Sequence, residues 1–222
     1  MSLGFFVTGT DTNIGKTLIS CSLIHAFAKK GRSVVGMKPI AAGCEGGRWV
    51  DVDKLRAAAT KRFDRAVINS YKLLAPVAPQ IAASHEAVSI DIRVIQEAYQ
   101  TIKKEVDVVI VEGVGGFIVP LSSREDTGDL AVALDLPLIM VVGLRLGCLN
   151  HALLTAEAIR ARGLHLAGWV ANTLDPDMNE IVANIEVLKQ RLACPLIGVF
   201  PYYSHLDARM CASLLDIDLL TP

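Results

Sequence analysis

Short apolar runs alternate with longer amphipathic segments along nearly the whole chain. The apolar runs predict buried strands at residues 4–8, 33–39, 106–111, 138–142, 167–171 and 196–200. Helical spacing predicts helices at residues 16–30, 90–105, 126–134, 150–162, 180–192 and 205–215, with a further candidate at 52–61. This alternation is typical of an α/β fold, in which a mostly parallel, twisted sheet carries helices on both faces.

Two segments interrupt the alternation. Residues 41–49 are rich in glycine and predict a loop, and residues 70–84 contain Pro76 and Pro79 and predict a turn-rich excursion leading into a helix. We find no internal repeat, low-complexity tract or linker in the sequence. We therefore expect one domain that spans residues 1–222.

Composition narrows the class of protein. Hydrophobic residues make up 52% of the 222, as suits a sheet buried on both faces, and the net charge of −1 argues against a nucleic-acid partner. The N-terminus has no basic region of a signal peptide, and the apolar stretch 136–149 is too short and broken to span a membrane. The five cysteines are widely spaced without a CxxC pattern, which favours reduced thiols. We expect a cytoplasmic protein.

In such a fold, ligands bind at the carboxyl ends of the strands. The loops expected there are the most polar and glycine-rich of the chain: GTDTNIGKT, KPIAAG, EGVGG, GLRLGCLN and ANTLDP. We therefore expect these five loops to form one site.

The first of these loops predicts a phosphate-binding P-loop. GKT follows a predicted strand and opens a predicted helix, so that backbone N–H groups can surround phosphate oxygens. Lys16 can then reach the β- and γ-phosphates, and the Thr17 hydroxyl can coordinate Mg²⁺. The loop is a variant of the common pattern, because five residues separate Gly9 from Gly15 and Thr10 stands where the first glycine is usual.

Other polar residues at strand ends are candidates for the same site. Glu112 ends an apolar strand and precedes a glycine loop, the position that supplies a magnesium contact in P-loop proteins. Asp51 and Asp53 follow the second strand, and either could reach the metal or simply favour a helix start. Lys38 could neutralise a transferring phosphoryl group, or be a surface lysine. Asn172 could pair with a base, or belong to a turn.

Taken together, five segments resemble the signature segments of the dethiobiotin synthetase family, in the same order and spacing, from about Phe5 to about Tyr203. They are VTGTDTNIGKT, MKPIAAG, VIVEGVGG, GLRLGCLNHALLTAEAI and LAGWVANTLDP. The resemblance implies an ATP-dependent ligase of biotin biosynthesis that joins CO₂ to 7,8-diaminononanoate. One amine becomes a carbamate, ATP phosphorylates it to a mixed anhydride, and the second amine closes the ureido ring and releases phosphate.

The resemblance also implies roles for individual residues. Lys16 would hold the phosphates and Lys38 would neutralise the carbamate and the γ-phosphate, as the catalytic pair. Thr17, Asp53 and Glu112 would bind Mg²⁺, with Asp53 preferred to Asp51. The nucleotide contacts would come from Thr12, Asn13, Ile14, Gly15, Lys16, Thr17, Leu18, Glu112, Gly113, Val114, Gly115, Asn172, Thr173, Pro201, Tyr202 and Tyr203. The substrate contacts would come from Lys38, Ala42, Gly147, Cys148 and Asn150.

The family is homodimeric, and its substrate lies at the dimer interface, where a helix start of the partner subunit meets the substrate carboxylate. That helix start corresponds to residues 146–150 of this chain. Two departures stand out: Ala41 and Ala42 occupy positions where relatives often carry a hydroxyl, and Thr173 stands where an acid is common.

Two other functions fit a P-loop chain of this kind. Cobalamin-type amidoligases usually carry an additional glutaminase domain with a catalytic cysteine, for which this chain is too short. ATPase switches of the partitioning type carry an additional lysine early in the phosphate loop. Residues 10–14 of this chain contain none, and Asp11 makes the loop acidic.

Overall fold

The structure, a computed structural model, describes residues 2–202 and 207–220. In these ranges the strands are β1 (Leu3–Gly9), β2 (Val34–Met37), β3 (Ile40–Ala42), β4 (Tyr71–Leu73), β5 (Val108–Glu112), β6 (Leu138–Leu144), β7 (Leu166–Thr173) and β8 (Leu196–Phe200). The α-helices are α1 (Lys16–Lys29), α2 (Val50–Ala58), α3 (Arg65–Ile68), α4 (Pro79–His85), α5 (Ile92–Lys103), α6 (Thr127–Leu134), α7 (Cys148–Ala161), α8 (Ile181–Arg191) and α9 (Ala208–Cys211). Two short 3₁₀ helices follow, Ala212–Leu214 and Ile217–Leu220.

Six strands form one parallel sheet in the order β2-β5-β1-β6-β7-β8. The predicted α/β class with a mostly parallel sheet is thus confirmed. From β1 the chain moves to β2 at one edge of the sheet, and after β5 it crosses to β6 on the other side of β1. The direction in which strands are added therefore reverses at β1. A reversal of this kind opens a crevice at the carboxyl ends of the strands, where the phosphate loop follows β1.

Both faces of the sheet are buried, as the continuous apolar runs predict. Successive side chains of β1 point to opposite faces, so Phe5 packs with Ile19 and Phe27 of α1, whereas Phe6 belongs to the core under α5, α6 and α7. Phe5 and Phe27 stack with their ring centroids 5.8 Å apart. This two-sided core fixes the strand ends from which the site is built.

The structure differs from the predicted elements in two places. Residues 40–42, at the start of the expected loop, pair in parallel with Tyr71–Leu73 in a second, two-stranded sheet. The expected helix at 205–215 is divided into α9 and a 3₁₀ turn over its described part, residues 207–215. Strands of three residues are too short to show a period, and this explains why the small sheet was missed. No helix of the described ranges is long and apolar enough to cross a membrane.

Candidate active site

The phosphate loop is shaped by backbone conformations that few residues adopt. Asn13 and Gly15 have φ angles of 57° and 90°, and Gly15 caps α1 without any side-chain hydrogen bond to the first turn. The amide of Asn172, at the end of β7, donates to the Ile14 carbonyl at 2.8 Å from behind the loop. A Cβ on Gly15 would lie 2.3 Å from that amide nitrogen. The loop therefore presents free N–H groups of a helix start, which is the chemistry of an anion site.

Lys16 lies inside the loop, with 7% of its surface exposed. Its ammonium donates to the Asp11 carbonyl at 2.7 Å. Burial, aided by the nearby charge of Lys38, lowers the pKa of Lys16 to about 8. A lysine held this way is available to phosphate oxygens that enter the loop, as the sequence predicts.

Lys38 and Glu112 meet because of the strand register. Met37 of β2 lies opposite Val111 of β5, so the next residue of each strand emerges at the same edge of the sheet. Lys38 Nζ lies 2.5 Å from Glu112 Oε1 and 3.3 Å from Asp51 Oδ2, and it also donates to the Gly113 carbonyl at 3.2 Å. Burial opposes the charge of Lys38, but Glu112 and Asp51 outweigh it and raise its pKa. Glu112 and Asp51 therefore stabilise Lys38 as a cation at the end of the sheet.

Glu112 also joins this edge to the phosphate loop. Thr17 Oγ1 donates to Glu112 Oε1 at 2.8 Å, while Glu112 Oε2 is buried without a hydrogen-bond partner in the described part of the chain. An unpartnered buried carboxylate oxygen is costly unless a cation binds it. The oxygen atoms of Thr17, Glu112 and Asp51 are the kind of ligands that Mg²⁺ takes, so this set fits the ion.

The expected metal ligand Asp53 does not reach this cluster. Its carboxylate accepts a hydrogen bond from Arg48 Nε at 2.8 Å and forms an ion pair with Arg65 Nη2 at 2.5 Å. The arginines hold the pKa of Asp53 below its usual range. Asp51 instead lies beside Lys38, which, against the effect of burial, lowers the pKa of Asp51. We therefore propose Asp51, rather than Asp53, as the metal ligand.

Two adjoining cavities occupy the crevice. The first, the phosphate cavity, has a volume of about 400 Å³ and contains every predicted residue from Thr12 to Leu18 except Ile14. Its other walls are Lys38, Ala42, Asp51, Lys54, Glu112, Val114 and Gly115. The second, the chain cavity, has about 580 Å³ and shares Thr12, Asn13, Ala42, Asp51, Val114 and Gly115 with the first. Its remaining walls are Ala41, Gly43, Glu45, Trp49, Val50, Pro76, Val77, Ala78, Pro79 and Val119.

Several predicted residues lie elsewhere. Gly147, Cys148 and Asn150 form the start of α7, and none of them lines either cavity. Thr173 and Pro201 are half-buried and Tyr202 is exposed at the ends of β7 and β8. Tyr203 lies outside the described residues. The roles assigned to these residues stay predictions.

Other residues of the site were not singled out from the sequence. Trp49 lines the chain cavity and donates from its indole nitrogen to the Leu73 carbonyl at 3.0 Å, which ties α2 to the small sheet. The fully buried Asn69 donates to the Lys38 carbonyl at 2.7 Å. Arg145, in the loop after β6, pairs with Asp11 of the phosphate loop. These contacts join residues far apart in sequence, and no local signal indicates them.

Comparisons with known proteins agree with this geometry. A family profile described as an AAA domain matches residues 4–210. The ATP-dependent dethiobiotin synthetase BioD of Nitrosospira multiformis is 55% identical over 217 residues, 98% of this chain and 96% of that protein. The enzyme of the same name from Aromatoleum aromaticum is 52% identical over 95% of this chain and 96% of that protein.

Solved structures show the same fold at low sequence identity. The MinC:MinD cell division complex of Aquifex aeolicus matches with a TM-score of 0.57 at 16% identity, covering 91% of this chain and 82% of that one. The signal recognition particle receptor FtsY of Elizabethkingia anophelis matches with a TM-score of 0.57 at 14% identity, covering 96% and 65%. With relatives above 50% identity over nearly its whole length, a phosphate loop and a lysine-carboxylate cluster at the sheet edge, this chain belongs to the ATP-dependent dethiobiotin synthetase family.

Proposed function

We propose that this protein is an ATP-dependent ligase that carboxylates 7,8-diaminononanoate with CO₂ and closes the ureido ring of dethiobiotin, in biotin biosynthesis. The observation that carries the proposal is the pair of adjoining cavities, one lined by three lysines and the other by both apolar and polar residues, which meet at Thr12, Ala42 and Asp51. Polyphosphate and alkyl chain each have a matching compartment. The volumes fall in the range of small-molecule sites.

The chemistry needs charge neutralisation and positioning more than covalent help. An amine attacks CO₂ and loses a proton to give a carbamate, whose oxygen attacks the γ-phosphorus while ADP leaves. The second amine then attacks the carbonyl carbon of the mixed anhydride, and phosphate leaves with loss of a further proton. Lys16 in the loop and Lys38, beside Asp51 in the phosphate cavity, neutralise the anions that meet in the first transfer.

Thr17, Asp51 and Glu112 would hold Mg²⁺ beside these lysines. The ion would add neutralising charge on the phosphate oxygens. Glu112 also has a positioning role, because its Oε1 atom accepts hydrogen bonds from both the Lys38 ammonium and the Thr17 hydroxyl. One buried carboxylate thus aligns the cation that faces the carbamate with the helix start that faces the nucleotide.

The chain cavity suits the aliphatic part of the diamine. Ala41, Ala42, Val77 and Pro79 give it apolar walls, and Thr12 contributes a hydroxyl where the two alanines contribute none. We propose that Thr12 takes over the contact that a hydroxyl at position 41 or 42 would make.

We also propose that the protein is a cytoplasmic homodimer that acts as one domain per chain. The described residues that line the chain cavity include Glu45 and Asp51 but neither lysine nor arginine, so the substrate carboxylate needs a donor from elsewhere. The start of α7, at Gly147, Cys148 and Asn150, would supply it from the partner subunit. Leu146 beside it is 96% exposed, which fits a contact surface. Light scattering on wild type and Leu146→Asp tests this, and a monomeric wild type rejects it.

The decisive experiment measures phosphate release from MgATP with bicarbonate, with and without 7,8-diaminononanoate. Release that requires the diamine, together with a ring-closed product identified by mass, supports the ligase. Release that is indifferent to the diamine rejects it and favours an ATPase switch. The Lys38→Ala variant serves as the control, because it keeps the phosphate loop but lacks the cation beside Glu112 and Asp51.

A further inference from the structure

The fully buried Asn69 lies against the backbone of Lys38. Its amide nitrogen donates to the Lys38 carbonyl at 2.7 Å and to the Tyr71 carbonyl at 3.0 Å. The carbonyl of the preceding residue, Ile68, accepts a hydrogen bond from the Lys38 N–H at 2.8 Å. Residues 68–69 therefore bind both backbone hydrogen-bonding groups of Lys38.

Lys38 needs these partners because the main sheet ends just before it. The register of β2 and β5 stops at the pair Met37 and Val111, and Pro39 has no N–H with which the strand could continue to pair. A buried backbone group without a partner costs free energy, so the polar groups of Lys38 must be satisfied by another segment. Asn69 supplies the donor for the Lys38 carbonyl.

Asn69 is itself fixed at the end of α3. Its N–H donates to the Arg65 carbonyl at 2.9 Å, and the side chain of Arg65 is paired with Asp53 of α2. The Oδ1 atom of Asn69 is buried and has no hydrogen-bond partner among the described residues. The hydrogen bonds of the amide nitrogen offset the cost of this unpaired oxygen, so the side chain serves the fold through its donor.

The backbone of Lys38 determines where its ammonium lies. Only 5% of the side chain is exposed, and the ammonium is enclosed by Glu112, Asp51 and the Gly113 carbonyl. In a closely packed wall of this kind, a displaced backbone also displaces the end of the side chain. A misplacement of about 1 Å in a group that faces the reactants can lower the rate by a factor of about 10².

We propose that Asn69 is a positioning residue, which holds the backbone of Lys38 so that the ammonium faces the transferring group. Asn69 lines neither the phosphate cavity nor the chain cavity, so it acts through Lys38 and touches no reactant. This inference rests on the proposed function, because that reaction gives Lys38 its role. The phosphate loop is built on β1 and α1, so nucleotide binding should not depend on Asn69.

Asn69→Leu tests the proposal, because it removes the donor and keeps a side chain in the buried site. We expect kcat for ligation to fall by a factor of roughly 10 to 100, with the calorimetric affinity for MgADP unchanged. Tyr71→Phe is the matched control. The Tyr71 hydroxyl accepts from the Asp91 N–H at 2.9 Å, so its loss weakens the same segment without touching Lys38. An equal fall in kcat in both variants would overturn the proposal.

A double-mutant cycle separates the positioning of Lys38 from a general loss of stability. If Asn69 acts through Lys38, Asn69→Leu should lower the single-turnover rate much less in a Lys38→Ala background than in wild type. An equal fold-loss in the two backgrounds would reject the proposal.

Chemical labelling tests the contact without turnover. Acetylation by acetic anhydride, measured by peptide mass spectrometry, should become severalfold faster at Lys38 in Asn69→Leu, with Lys16 of the phosphate loop as the internal reference. An unchanged ratio of the two rates would overturn the proposal. Should Asn69→Leu fail to fold, Asn69→Ser carries the same tests, because its hydroxyl is too short to reach the Lys38 carbonyl. Wild-type phosphate release that ignores the diamine would reject the ligase, while the labelling would still decide whether Asn69 holds Lys38.

Discussion

Lys38 Nζ and Glu112 Oε1 lie 2.5 Å apart, with 5% and none of their side chains exposed. Such a buried pair is costly to form and weak evidence for stability, but breaking it leaves one charge without a partner. Because Thr17 also donates to Glu112 Oε1, the pair links the end of the sheet to the start of α1. Its position in the wall of the phosphate cavity supports a role in catalysis.

Removal of Lys38 should therefore lower turnover by orders of magnitude rather than merely weaken binding. We expect Lys38→Ala and Lys16→Ala each to lower kcat by a factor of roughly 10² or more, because each removes a cation facing the transferring group. Steady-state ligation with mass detection measures this. Near-normal turnover of Lys38→Ala, with its fold confirmed by circular dichroism, would reject the assigned role.

Asp51 and Asp53 form a matched pair for the metal assignment. Asp51→Asn should raise the Mg²⁺ concentration needed for half-maximal activity by roughly tenfold or more, because it removes a charged oxygen ligand beside Lys38. Asp53→Asn should change it little, since Asp53 is engaged by Arg48 and Arg65. A magnesium titration of both variants at saturating ATP decides between them. The reverse order of effects would restore Asp53 as the ligand.

Gly15 should not tolerate a side chain, for two separable reasons. Its φ of 90° is strained for any other residue by roughly 1–2 kcal/mol, and a Cβ would strike the Asn172 amide. Gly31, at the other end of α1, has a φ of 77° but nothing within 4 Å of a built Cβ. In chemical denaturation, we expect Gly31→Ala to lower the free energy of unfolding only by the cost of the strained backbone. Gly15→Ala should lose more stability and also nucleotide affinity.

A comparable affinity of Gly15→Ala and Gly31→Ala for MgADP would mean that the Asn172 contact does not shape the phosphate loop.

Nucleotide affinity should fall as the pH rises through about 8. The pKa of Lys16 in the folded protein is lowered to about 8 by burial, so the ammonium that faces the phosphates is lost above this pH. The effect on folding has the opposite sign. The unfolding free energy of the unliganded protein rises with pH between about 8 and 10.5, the pKa of Lys16 in the unfolded state, because only the unfolded state keeps the proton in this range. Binding of MgADP measured from pH 7 to 9.5 tests the first statement.

Lys16→Arg should remove this fall in affinity, because the pKa of arginine lies far above the range. An unchanged profile in that variant would assign the pH effect to another group.

Patterns along the chain predict most of the fold. The alternating apolar runs and helical segments indicate the parallel sheet correctly, because a strand buried on both faces must be continuously apolar. The sequence also places Lys38 and Glu112 at strand ends and Lys16 and Thr17 at the helix start after β1, and a parallel sheet brings these positions to one edge. The small sheet of β3 and β4 escapes prediction, because three residues carry no readable period.

What the sequence determined by itself was the class of fold, the phosphate loop and the family, since these depend on local spacing and short segments. What only the tertiary structure shows is which of Asp51 and Asp53 lies beside Lys38. Residues two apart on a helix point roughly 200° away from each other, so only one can face Lys38, and the sequence does not say which. The packing of α2, with Trp49 held on Leu73 and Asp53 held by arginines, places Asp51 beside Lys38. The hydrogen bond from the Asn69 amide to the Lys38 carbonyl is likewise a relationship between distant residues that no local pattern contains.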